Sequence, residues 1–110
     1  MALINPGYGS TEDLIGVVSE NFGRAFTITS ATLTVTDAEG TVLRDSVACT
    51  VDNALKQVYY TETFTDDNGY APDTQYYATF RYLMSTGHTP WFEDSFVVQA
   101  ARDLAPDPVA

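Results

Sequence analysis

The sequence contains one cysteine, Cys49, and one histidine, His88, the residue types most often used as a nucleophile and its base. Cys49 lies in the apolar run "VACTV", which favours a small buried residue over a reactive thiol. His88 lies in the turn "STGHTP", where an imidazole is well solvated, and no G-x-S-x-G signature accompanies it. The sequence therefore predicts no catalytic residue, and we expect a protein that is not an enzyme.

Acidic residues form two short clusters that could in principle hold a cation. The segment "DDNG" matches part of the calcium-loop pattern D-x-[DN]-x-[DN]-G-x₅-E, but the position six residues after Gly69 is Gln75 instead of glutamate. Glu93 and Asp94 are adjacent, and adjacent side chains of a strand point to opposite faces. The sequence also lacks a P-loop, a G-x-G-x-x-G motif and the Cys/His spacing of a zinc site. It predicts no metal and no cofactor.

Charge and hydropathy exclude two classes of partner. The chain has 15 acidic and 5 basic residues and a formal net charge of −10, shared equally between residues 1–55 and 56–110. Such a surface repels phosphate backbones, so we expect no nucleic-acid partner. No apolar run approaches the roughly 20 residues that span a bilayer, and we expect no membrane partner.

Alternating apolar and polar residues, rich in Thr, Val, Tyr and Phe, indicate β-strands throughout the chain. The predicted strands are "RAFTIT", "ATLTVT", "TVLR", "DSVACTV", "KQVYYTETF", "QYYATFRYLM" and "WFEDSFVVQA". The stretch from Asp37 to Gly40 is a hairpin turn signal. About seven short strands without a substantial helix predict an all-β, two-sheet antiparallel sandwich. The aromatic residues expected in its core are Tyr60, Tyr76, Phe80, Tyr82 and Phe96.

The chain is long enough for one domain, and its two ends differ in composition from the rest. Residues 1–12 contain Pro, Gly and Ser and predict a flexible N-terminal arm. Residues 13–100 form the predicted sandwich domain. Residues 101–110 are acidic and interrupted by proline, and they predict a flexible C-terminal tail.

The stretch "YAPDTQYYATFRY" resembles the pattern L-x-P-x-T-x-Y-x-V-x-V of fibronectin type III domains. The matching positions are Tyr70, Pro72, Thr74, Tyr76, Ala78 and Phe80. The resemblance implies an Ig-like (fibronectin type III-like) topology in which Tyr76 forms a tyrosine corner, with a buried ring and a hydroxyl bonded to backbone. The early-strand tryptophan of that family is missing here, since Trp91 lies late in the chain. The resemblance therefore implies the topology and not membership of the animal family.

Several apolar residues fall outside this predicted core and are candidates for an interface. Tyr59, Tyr77 and Leu83 alternate onto the other side of their strands, where they either form an exposed surface or are covered by the terminal arms. Trp91 lies beside a glycine-containing turn. Pro6 and Tyr8 belong to the N-terminal arm, which we expect to order on a neighbouring subunit. The candidate interface residues are thus Pro6, Tyr8, Tyr59, Tyr77, Leu83 and Trp91.

The succession of "TDAEGTVL", "YYATFRY" and "SFVV" is similar in layout to the Ig-like virion proteins of tailed bacteriophages. That resemblance implies a capsid decoration protein or a head-, neck- or tail-associated accessory protein. The chain starts at Met and has neither an export signal nor a second domain, so we expect a complete product assembled in the bacterial host cytoplasm and located in the virion. Its expected partners are capsid, neck or tail proteins, with many copies in one assembly.

Two other functions fit the same residues. A receptor- or glycan-binding recognition module would use the loops 66–73 and 85–90, with Trp91 stacking on a sugar face. An intracellular adaptor or inhibitor would instead form a stable one-to-one complex with a host protein.

Overall fold

Two antiparallel β-sheets make up the part of the chain that the computed structural model describes, residues 5–18 and 27–100. Its strands are β1 (Thr11–Val17), β2 (Ile28–Asp37), β3 (Val42–Ala48), β4 (Thr50–Asp52), β5 (Gln57–Thr63), β6 (Thr74–Met84) and β7 (Trp91–Val98). A single 3₁₀ turn, Asp66–Asn68, precedes β6 within these residues. The prediction of an all-β sandwich is confirmed.

The strand order is β1-β5-β4 in one sheet and β3-β2-β6-β7 in the other. In the lettering of immunoglobulin-type sandwiches this order corresponds to B-E-D facing C′-C-F-G. The hairpin between β2 and β3 turns where the sequence predicts it. There the Asp37 carboxylate accepts hydrogen bonds from the backbone N–H groups of Glu39 and Thr41, both at 2.9 Å. Gly40 provides the positive φ of 89° that the turn requires.

The core lies between the sheets and follows the period-two alternation of the strands. Ala31, Leu33 and Val35 of β2 are buried, as are the even-numbered residues of β6 from Tyr76 to Met84. Phe96 and Val98 extend this buried layer onto β7. Of the predicted core aromatics, Tyr60 alone is only half-buried.

The strand prediction differs from the structure at three places. β1, "TEDLIGV", was not predicted, because its acidic start and glycine obscure the apolar alternation. The predicted strand "DSVACTV" is divided between the two sheets. Its first four residues continue "TVLR" in one strand, β3, whose register against β2 shifts twice, and Thr50 and Val51 belong to β4. "ATLTVT" continues back to Ile28 within β2, and Phe26 lies outside the described residues.

The sandwich also begins earlier than the predicted boundary at residue 13. β1 starts at Thr11, and the segment before it runs parallel to the end of β7. The Gln99 N–H donates to the Pro6 carbonyl at 2.8 Å, and the Tyr8 N–H donates to the Gln99 carbonyl at 2.7 Å. Residues 5–12 thus belong to the domain because the free edge of β7 supplies partners for their backbone. Residues 1–4 and the predicted tail 101–110 lie outside the described residues.

Gly16 of β1 allows the two sheets to approach closely. A Cβ atom at this position would meet the Tyr82 hydroxyl and would lie 3.0 Å from Cγ of Phe80. Both aromatic side chains are buried in β6 of the opposite sheet and cannot move into solvent.

We expect Gly16→Ala to lower the free energy of unfolding by about 2 kcal/mol, the usual cost of overpacking a core. The measurement is urea unfolding followed by circular dichroism. Gly7→Ala is the matched control, because the nearest heavy atom to its added Cβ, the Ser10 hydroxyl, is 3.9 Å away. Equal losses in the two variants would contradict the proposed contact with β6.

Candidate functional site

Exposed large apolar side chains concentrate at one end of the sandwich. Five of the six such residues in the described part of the chain lie there, and we call them the apolar end surface: Val17, Leu55, Leu83, Trp91 and Phe92. The two sheets are joined at this end by the Asn53 side chain, which accepts from the Ile28 N–H at 2.7 Å and donates to the Ile28 carbonyl at 3.1 Å. The sixth residue, Val42, lies beside the β2–β3 turn at the opposite end.

The turn between β6 and β7 places Trp91 on the outer face of the four-stranded sheet. Two hydrogen bonds of 2.9 Å close this turn. One runs from the Met84 N–H to the His88 carbonyl, and the other runs from the Tyr82 N–H to the Pro90 carbonyl. Trp91 then pairs with Arg81 across β6 and β7. Leu83, two residues further along β6, faces the same way and is a diagonal neighbour of Trp91.

The indole of Trp91 is 58% exposed, and the Leu83 side chain is 41% exposed. Arg81 beside them is also exposed. Phe92 faces the other side of β7, where its ring makes an edge contact with buried Tyr82 at 5.8 Å, yet it remains 49% exposed. Aromatic side chains and arginine guanidinium groups are enriched at the anchoring positions of protein interfaces.

The structure brings together only two of the predicted interface residues, Leu83 and Trp91. Tyr77 lies on the same sheet face but six residues away along β6, between Thr36 and Ser95. Tyr59 lies on the other sheet, between Ile15 and Thr50.

The two candidates from the N-terminal arm pack within the chain itself. Pro6 is fully buried, which corrects its place among the interface residues. Tyr8 is half-buried against the core, and its hydroxyl accepts a hydrogen bond from the Asp66 N–H at 3.2 Å. Apolar residues of this segment are buried because they close the end of the core beside β7.

Tyr76 is buried, and its hydroxyl accepts a hydrogen bond from the Ala71 N–H at 2.8 Å. Its ring packs against Tyr70, with centroids 5.0 Å apart, and stacks on Phe96 at 5.7 Å. A buried ring with its hydroxyl bonded to backbone a few residues upstream is the geometry of a tyrosine corner.

Sequence reasoning missed a buried charged group, Glu62, which is only 3% exposed. Arg44 of the opposite sheet forms a bidentate ion pair with it, with Nε 2.8 Å from Oε2 and Nη2 3.0 Å from Oε1. The Tyr70 hydroxyl donates to Oε2 at 2.9 Å, and the Thr63 N–H donates to Oε1 at 3.2 Å. The alternation Val58, Tyr60, Glu62, Phe64 could have revealed it, because it places Glu62 on the inward side of β5.

The groups around Glu62 have shifted pKa values with identifiable causes. Burial, followed by the charge of Glu62 and the hydrogen bond to it, raises the pKa of Tyr70 far above its usual range. Burial lowers the pKa of Arg44, but the hydrogen bond and charge of Glu62 outweigh it and the net shift is upward. Each Glu62 oxygen already accepts two hydrogen bonds, so the cluster joins the two sheets and has no acceptor left for a ligand.

The remaining reactive side chains are not assembled into a site. Burial raises the pKa of the half-buried Cys49 thiol to about 11, so it stays protonated at neutral pH. His88 is exposed in the β6–β7 turn. Among residues 5–18 and 27–100, no three His, Cys, Asp or Glu side chains are grouped so as to hold a metal ion. The same residues contain no helix with the length and hydropathy needed to cross a membrane.

Comparison with known proteins gives no further guide: no family model matches the chain, and neither a curated protein nor a solved structure is significantly similar to it.

Proposed function

We propose that this protein is a non-enzymatic structural component of a tailed-bacteriophage virion, a capsid decoration protein or a head-, neck- or tail-associated accessory protein. It would be assembled in the bacterial host cytoplasm and would act in many copies through contacts with capsid, neck or tail proteins. The observation that carries the proposal is the apolar end surface, where Trp91, Phe92 and Leu83 are each about half exposed. Apolar residues gathered at one end of a small domain mark a surface that is covered in an assembly.

The charge of the chain supports an outward position in such a particle. A domain with a net charge of −10 is repelled by packaged DNA, so an outer surface is favoured over an inner lining. The contact itself would be apolar, with Trp91 as its anchor and Arg81 at its rim.

Replacing Trp91 and Leu83 by serine is expected to reduce binding to purified phage particles at least about tenfold, since the double change removes a central interface anchor. Copies bound per particle are measured by co-sedimentation with heads and tails of the encoding phage. Val42→Ser is the matched control, because Val42 is also exposed but lies at the other end of the sandwich. Wild-type protein that fails to bind any particle fraction would overturn the proposal.

A receptor- or glycan-binding module is the second candidate, and one observation favours it. The exposed Trp91 ring lies on an open sheet face directly beside Arg81, a combination that suits a sugar with an acidic group. Glycan-array binding that is lost in Trp91→Ser but kept in Leu83→Ser, without particle binding, would select this function over the structural one.

A further inference from the structure

Each sheet of the sandwich has two edge strands, and edges are where a further strand can pair. Of the four edges, three carry features that prevent such pairing. β4 is only three residues long. β3 is irregular, with two register shifts against β2 and a positive φ of 51° at Ser46.

The edge of β7 is occupied along much of its length. Gln99 pairs with the backbone around Gly7, and the Val97 N–H donates to the Asn5 side chain at 3.0 Å. The Ser95 N–H donates to the neighbouring Asp94 carboxylate at 2.9 Å. Side chains that satisfy edge N–H groups in this way exclude an incoming strand.

β1 has none of these features. It pairs with β5 in one uninterrupted register over seven residues, from Thr11 to Val17. The flanking bonds from Val18 N–H to the Lys56 carbonyl and from Phe64 N–H to the Ser10 carbonyl, both 2.9 Å, fix which residues face β5. Even-numbered residues of β1 bond to β5, so odd-numbered ones direct their N–H and C=O groups to the free edge. No residue of the described ranges pairs with those groups.

We propose that β1 is a docking strand, whose free edge binds an extended segment of another protein and so adds a fourth strand to the β1-β5-β4 sheet. The backbone groups of four residues would hold the segment: Thr11, Asp13, Ile15 and Val17. Ile15 and Val17 favour aliphatic residues opposite them, and the exposed Asp13 on the same face favours a basic one. The Glu12 carboxylate faces the other side of β1 and already accepts hydrogen bonds from the Ser10 hydroxyl at 2.6 Å and the Gly7 N–H at 3.1 Å. Val17 also belongs to the apolar end surface, so the docking strand ends at that end of the sandwich.

Electrostatic repulsion argues against a second copy of the chain as the segment that binds the free edge of β1. β1 contains two acids and no base, and β5 contributes only Glu62, which is already paired with Arg44. Two β1 strands paired about Leu14 would bring Asp13 and its counterpart to diagonal positions on one face. Two chains of net charge −10 would add a general repulsion. A basic extended segment meets neither obstacle.

The test uses the full chain and a labelled peptide of sequence VTVTKKT, which in antiparallel register places its lysines opposite Asp13 and Glu12. The comparison peptide VTVTEET differs only in charge. Fluorescence anisotropy is expected to show binding of the first peptide and at least about tenfold weaker binding of the second.

Ile15→Pro removes one N–H from the free edge and leaves the β1–β5 ladder intact, a position at which strands tolerate proline. We expect it to weaken binding of VTVTKKT at least about tenfold, whereas the control Ile15→Thr keeps its affinity within about twofold. Thermal unfolding verifies that both variants are folded. Amide exchange of the odd-numbered β1 residues is expected to be fast in the free chain and slow with the peptide.

Three results would overturn the inference: equal binding of the two peptides, no binding of either, or slow exchange of those amides in the free monomer. If these amides exchange more slowly at higher protein concentration, and sedimentation shows a dimer at the same concentrations, a second copy of the chain occupies the edge and a basic partner is refuted. Loss of particle binding in the Trp91 and Leu83 variant does not bear on these outcomes, so this inference and the virion proposal fail separately.

Discussion

Arg44→Ala is expected to lower the free energy of unfolding by about 3 kcal/mol, because it leaves the carboxylate of Glu62 buried without its counter-charge. Glu62 would keep the hydrogen bonds from Tyr70 and Thr63, and the Arg44 side chain is 21% exposed, so the loss falls at the lower end for buried ion pairs. Urea unfolding followed by circular dichroism measures it.

The triple variant Arg44→Met, Glu62→Leu, Tyr70→Phe is the informative comparison, because Tyr70→Phe removes the hydroxyl that Glu62→Leu would leave buried without an acceptor. Replacing both charges by apolar groups of similar volume is often neutral, so we expect this variant to recover most of the stability lost by Arg44→Ala. If Arg44→Ala alone unfolds within about 0.5 kcal/mol of the wild type, water reaches Glu62 and the ion pair does not hold the sheets together.

Most of the sandwich could be predicted from local patterns. The alternation of Ala31, Leu33 and Val35 and the long alternation of β6 identify the buried faces, because one side of each strand must exclude water. The turn from Asp37 to Gly40 carries its own signal, since its side-chain acceptor and positive φ are properties of those residue types.

The parts that could not be predicted depend on contacts between distant segments. The sequence of β1 is too acidic at its start to be identified as a strand, and its place follows from pairing with β5. Pro6 and Tyr8 look like a free arm until the edge of β7 is known to lie beside them. Glu62 could be placed on an inward face, but its partner Arg44 lies 18 residues away on another sheet.

The same distinction applies to the candidate site. Alternation correctly directs Leu83 away from the core, and it gives Trp91 the same face through its pairing with Arg81. It cannot show that Val17, Leu55 and Phe92 lie at that same end, because this depends on how the two sheets are stacked. The apolar end surface is therefore a property of the fold and not of any one segment.

Tyr76→Ala is expected to lower the free energy of unfolding by about 4 kcal/mol, the largest effect of any change considered, because it empties a central position of the core. The ring is 2% exposed and contacts both Tyr70 and Phe96, so neither neighbour can fill the space without losing its own packing. Urea unfolding monitored by circular dichroism measures this loss in the free energy of unfolding.

Tyr76→Phe separates the hydroxyl from the ring. It removes the acceptor of the Ala71 N–H and is expected to cost about 1.5 kcal/mol. Tyr82→Phe is the matched control, because the Tyr82 hydroxyl is equally buried in β6, has a pKa raised to about 12 by burial, and bonds to no other described residue. We expect that control to be neutral or slightly stabilising. If the two phenylalanine variants behave alike, the Tyr76 hydroxyl does not fix the Ala71 backbone, and the ring alone accounts for the importance of the position.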